Sequence, residues 1–134
     1  MLSKTSPLIS GLIALVLCLL PLVVTAAEKL RVSRESSRIV EDVLKEKSLY
    51  DRVWQAFAYV GDDRVTGVLG DERRLGYQVT VKIVESVDAM TADWSRIPYE
   101  VLEVISGRIT NQVEGVVSVV YAISSKPPAT IEPQ

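Results

Sequence analysis

The 134-residue chain carries 15 basic and 17 acidic residues, one cysteine and no histidine, for a formal net charge of −2. The absence of histidine excludes a histidine-based catalytic triad, a histidine-ligated zinc site and a histidine pH switch. Acids and bases are interspersed without a basic stripe, which argues against nucleic acid as a partner, and the length holds one small domain at most.

The chain opens with a short polar stretch, Met1 to Pro7, whose one positive charge is Lys4. Leu8 to Val24 (LISGLIALVLCLLPLVV) then runs almost continuously apolar and without charge, and Val24-Thr25-Ala26 supplies small residues. This order is the pattern of a secretory signal peptide. A spanning helix needs about 20 apolar residues, and this run is shorter and interrupted by Pro21, so an uncleaved membrane anchor is the second reading. Residues 1–26 are therefore expected to be a signal peptide or anchor, placing residues 27–134 outside the cell or at a membrane, with membrane contact only through the apolar segment. Cys18 sits between Leu17 and Leu19-Leu20, which is no lipidation site. Without the segment the chain has no cysteine for a disulfide, and its net charge is about −3.

In the remainder, a first helix is predicted from about Glu28 to Lys47. Ile39, Val40, Val43 and Leu44 recur at helical spacing opposite Glu41, Asp42, Lys45 and Glu46, while Ser33 to Ser37 is polar and expected to fray. Val53 to Val60 (VWQAFAYV) reads as a strand. Gly61-Asp62-Asp63 and Gly70-Asp71 read as turns or loops flanking Arg64 to Leu69. The clearest strand is Gly76 to Glu85 (GYQVTVKIVE), with Tyr77, Val79, Val81 and Ile83 on a buried face and Gln78, Thr80 and Lys82 on a wetter one. Asp88 to Arg96 reads as a loop. A second helix starts near Pro98, carries Val101, Leu102, Ile105 and Ile109 as its apolar stripe, and stops near Gly115. Val116 to Ser124 is the last strand. The fold class is α+β: a small sheet of about three strands with two helices on one face.

Three stretches carry a family resemblance: LYDRVWQAFA (Leu49 to Ala58), VESVDAMTADW (Val84 to Trp94) and VVYAISSKPPATIE (Val119 to Glu132). Together they resemble the C-terminal domain of GMP synthase, the glutamine-hydrolysing enzyme, from about Glu28 to the end. The resemblance implies a dimerisation domain that completes the binding site for xanthosine monophosphate (XMP), in an enzyme that amidates XMP to GMP with ATP, magnesium and ammonia from glutamine. Carried over, Lys126 of SKPP would contact the nucleotide phosphate, with Glu132 and Gln55 on the rest of the nucleotide. Those residue types suit the roles. A lysine is a compact point charge for phosphate, glutamine offers donor and acceptor, and Pro127-Pro128 stiffens the hook that presents the lysine. A homodimer is the expected assembly, because helices on one face of a small sheet leave the other to be covered.

The family's amidotransferase cysteine and histidine and its SGGVDS phosphate loop do not occur in this sequence, so no catalytic residue, cofactor or metal site is assigned to the chain itself. Three places near the tail, four residues in all, also depart from the family: Ser118 replaces an arginine, Ala122 the aspartate of VVYDI, and Pro133-Gln134 the end of IEWE. An exported structural or interaction domain that kept the fold and lost nucleotide binding is the alternative function. The resemblance itself implies the cytoplasm, where XMP occurs. Arg64, Arg73 and Arg74 read as solvated charges, Asp88, Asp93 and Glu85 form no metal spacing, and Trp54 and Trp94 read as packing anchors.

Overall fold

A computed structural model describes residues 7–133; the opening stretch with Lys4, and Gln134, lie outside the described residues. The chain divides into two compact units, Met1–Arg31 and Val32–Gln134. Helix α1 (Pro7–Glu46) begins in the first and ends in the second. It is longer than the expected Glu28–Lys47, because the apolar segment is itself helical and by length and composition could cross a membrane. After a single 3₁₀ turn at Tyr50–Arg52 the order is β1 (Gln55–Leu69), β2 (Glu72–Ser86), β3 (Ala92–Trp94), α2 (Tyr99–Gln112) and β4 (Val116–Tyr121).

The fold of the second unit is α+β, with a four-stranded sheet where about three strands were expected. Strand β2 is its axis. It pairs antiparallel with β1 along one edge, and on the other edge antiparallel with β3 and parallel with β4. Its period-two pattern buries Tyr77, Val79, Val81 and Ile83 against Val40, Val43 and Leu44 of α1 and Val101, Ile105 and Ile109 of α2. Pro98 precedes α2 at its N-cap, and Gly115 follows it with φ +88, a left-handed conformation that glycine takes at little steric cost.

Several local expectations are corrected. Ser33 to Ser37 does not fray: Ser36 is fully buried, and the Ser37 hydroxyl accepts from Ala58 N at 2.9 Å and donates to Ala58 O at 3.0 Å. Those bonds tie α1 to β1, a tertiary contact invisible in the local polarity. Gly61-Asp62-Asp63 makes no turn; it lies within β1 as an irregularity between Val60, opposite Val79, and Arg64, opposite Tyr77. Arg64 to Leu69 therefore continues the same strand. The chain reverses at Gly70-Asp71, between paired Leu69 and Glu72, with Gly70 at φ +62. Part of the expected Asp88–Arg96 loop pairs with β2 as β3, and the last strand ends at Tyr121 instead of Ser124. Trp54 is 52% exposed and no packing anchor, whereas Trp94 meets Tyr121 edge-on at 6.2 Å.

The core makes a direct test of this layering. Ile109→Ala, at a position with no exposed surface, is expected to lower unfolding stability by about 2–5 kcal/mol. Tyr99→Ala, on the same helix but 87% exposed, is expected to change it by less than about 0.5 kcal/mol. Denaturant midpoints of the two variants would check the pair.

Candidate functional site

Beyond β4 the chain folds back across the sheet face opposite the helices. Gln55 opens β1 on that face, opposite Val84, and Lys82 follows diagonally, opposite Phe57. The Gln55 amide donates to Glu132 Oε1 at 3.2 Å, and the Lys82 ammonium donates to the Thr130 carbonyl. The Thr130 hydroxyl donates to the Glu132 carbonyl at 2.6 Å, which sets the last residues of the tail against one another.

The other end of the tail is fastened at Lys126. Its main chain forms an antiparallel bridge with Ala92, Lys126 N to Ala92 O at 2.7 Å and Ala92 N to Lys126 O at 3.1 Å. Its ammonium donates to the Ala89 carbonyl at 2.9 Å. The loop that presents this carbonyl is built locally. Asp88 Oδ1 accepts from Met90 N and Thr91 N, Ser86 Oγ accepts from Ala89 N and donates to Thr91 O, and Ala89 sits at φ +61. The bonds from Thr91 and Met90 hold the Asp88 carboxyl below the usual carboxylate range.

A third fastening joins Ser125 to β3. The Ser125 hydroxyl donates to Asp93 Oδ1 at 2.7 Å, while Asp93 Oδ2 pairs with the Arg96 guanidinium. Arg96, then Ser125, hold the Asp93 carboxyl below its ordinary range. The Tyr121 hydroxyl donates to Ser95 O at 2.5 Å, and burial, then the charge of Glu85, pushes its pKa up to about 12. Tyr121 therefore stays neutral and supports the region as a donor.

Of the residues expected at the site, Gln55 and Glu132 touch each other, whereas Lys126 lies at the far end of the same tail and bonds to neither. Lys82 was placed on the wetter face and is in fact buried, at 7% exposure. The signal was there to be read: a lone lysine between Val81 and Ile83, in the strand whose alternation is clearest. Among the described residues neither Lys82 nor Lys126 has a carboxylate partner; each ammonium bonds a carbonyl. Two cations compensated only by dipoles are suited to an anion. No three carboxylates gather as a metal site would require, among the described residues.

Fold and site together define a small α+β module, a mixed sheet backed by helices with its C-terminal tail laced over the opposite face. Residues 33–133 match the family described as the GMP synthase C terminal domain, and the chain belongs to that family. It is 59% identical over 106 residues to the glutamine-hydrolyzing GMP synthase of Pyrobaculum aerophilum, which covers 79% of this chain and 21% of that protein. It is 50% identical over 105 residues to the corresponding proteins of Petrotoga mobilis and Halothermothrix orenii, in each case 78% of this chain and 21% of the relative. The chain thus spans about a fifth of the length of the curated relatives it matches.

If Lys82 seats the tail, Lys82→Met should free it while leaving the hydrophobic stem of the position filled. Loss of a hydrogen bond from a charged group, about 1.5–3 kcal/mol, should speed amide exchange at Lys126 and Ala129 by at least roughly tenfold. Exchange at Val79 and Val81 in β2 should stay slow. Equal protection of the tail in both proteins would contradict the role.

Proposed function

We propose that this chain is the dimerisation and XMP-binding module of a GMP synthase, acting in purine nucleotide biosynthesis where XMP is aminated to GMP. The observation that carries the reading is the bond between Gln55 and Glu132, residues 77 positions apart, with Lys126 of the tail and Lys82 of β2 each bonding a carbonyl and, among the described residues, no carboxylate. A nucleotide monophosphate presents a dianion at one end and a base edge at the other. Lys126 supplies a point charge for the phosphate, and the two ammonium donors not spent on Ala89 can turn toward its oxygens. Gln55 supplies an amide and Glu132 a carboxylate for the polar groups of the nucleoside.

The chemistry of amination needs more than this module. Activation of the base with ATP and magnesium, and release of ammonia from glutamine, belong to the amidotransferase and pyrophosphatase machinery, whose motifs do not occur in this sequence. The module's part is to hold XMP and to pair with a second copy. Support for the pairing lies in the sheet: β1 is a fifteen-residue edge strand, and Phe57 and Tyr59 lie half-buried on the face away from the helices.

Titration of the chain with XMP at about millimolar concentration should give a saturable heat, at the weak end of the affinity scale. Lys126→Ala should reduce the affinity by roughly tenfold or more, the loss of one charge-assisted hydrogen bond. Absence of heat in the unsubstituted chain would remove the nucleotide reading. Sedimentation of residues 27–134 should show a dimer that dissociates on dilution; a monomer at the highest attainable concentration would remove the pairing.

A further inference from the structure

We propose that the first part of α1 is an uncleaved membrane anchor, oriented so that the folded domain lies on the cytoplasmic side of the bilayer. From Leu8 to Ala27 there is no charged residue, and all of it lies in the helix. At 1.5 Å per residue that stretch is about 30 Å long, the thickness of a hydrocarbon core. Among the side chains described there, the large apolar ones are exposed, Leu8 at 85%, Leu15 at 57% and Val24 at 58% among them.

Pro21, which shortens the apolar run when read from sequence, does not end the helix. The Thr25 hydroxyl donates to the Pro21 carbonyl at 2.8 Å, so a polar side chain that would lack water in lipid is satisfied within the helix. The same helix continues through Val24-Thr25-Ala26, where a signal peptidase would need an opened backbone.

Charge sets the direction. Immediately past Ala27 stand Lys29, Arg31, Arg34 and Arg38, whereas residues 1–6 hold Lys4 alone. Orientation follows the Lys and Arg near the ends of a span, the richer flank staying cytoplasmic, and acids such as Glu28 and Glu35 count for little. A cleaved signal would instead have to draw that basic flank across the membrane. The same cations suit the anionic lipid surface of the cytoplasmic leaflet. The inference is independent of XMP binding, since it uses only the apolar span and its flanks.

The test is the full chain produced in a bacterium, carrying at its C-terminus either green fluorescent protein or alkaline phosphatase. The expected result is an uncleaved chain that stays with the membranes after an alkaline carbonate wash, with bright fluorescence and an inactive phosphatase. A chain shortened by loss of the segment, an uncleaved chain in the soluble fraction, or an active phosphatase with dark fluorescence would each overturn the proposal. The combined variant Lys29→Gln, Arg31→Gln, Arg34→Gln and Arg38→Gln should raise the ratio of phosphatase to fluorescence signal by roughly tenfold. An unchanged ratio would show that these cations do not set the orientation. The phosphatase reports the side of the membrane whether or not the preceding domain folds.

Discussion

Strand β2 is the constraint on which the remaining elements depend. Every other strand of the sheet is hydrogen-bonded to it, and its alternation decides what each face of the domain can do. Tyr77, Val79, Val81 and Ile83 turn to the helices and are almost entirely removed from water. A shift of register by one residue would place Lys82 in that core and turn the apolar set outward, so the register is strongly specified. With the register fixed, Lys82 falls under the returning tail. The hydrophobic pattern that makes the core thus also aims the ammonium that holds Thr130.

Elements whose signal is local were legible in the sequence. The alternation of β2, the stripe Val101, Ile105 and Ile109, and the reversal at Gly70-Asp71 each follow from a few neighbouring residues. What escaped depends on partners distant in the chain. Ser37 looks like part of a fraying helix start until Ala58, 21 residues on, is placed beside it. Gly61-Asp62-Asp63 has the composition of a turn, yet β2 holds both flanks in pairing and the three residues are absorbed as an irregularity. β3 is three residues long and exists only because β2 extends past the reach of β4. At the site, the resemblance singled out Gln55 and Glu132, which the fold brings into contact, and passed over Lys82, whose role depends on where the tail returns.

The electrostatics of the domain divides along the same lines. Where an ion pair has a structural task, its two charges are matched: Arg108 grips Glu46 through both nitrogens at 2.7 and 2.9 Å, tying α2 to the end of α1 and holding that carboxyl below its usual range. Asp93 is likewise matched by Arg96. Lys82 and Lys126 are the contrast, each facing a carbonyl, which offers a dipole where a carboxylate would offer a full charge. Burial of an ammonium without a counter-charge is costly, and that cost falls when an anion arrives. A tail held this way is fastened by ammonium–carbonyl bonds, with no carboxylate bonded to either lysine among the described residues.

The three departures from the family bear on that balance differently. Ser118 lies in β4, where its hydroxyl accepts from Gln78 at 3.3 Å; a short side chain there keeps the cross-strand bond and withdraws an arginine's charge from the face. Ala122 leaves its backbone task intact, since Ala122 N still donates to Val81 O at 2.9 Å, and it removes a carboxylate from the approach to the hook. Lost together, an acid and a base change the net charge little but remove directional partners. Pro133 comes directly after Glu132, and the clash of its ring Cδ with the preceding residue pushes the backbone of Glu132 toward extended conformations while leaving its carboxylate on Gln55. The substitutions thus spare the hydrogen bonds of this region: Gln78 to Ser118, Ala122 to Val81 and Gln55 to Glu132 all stand.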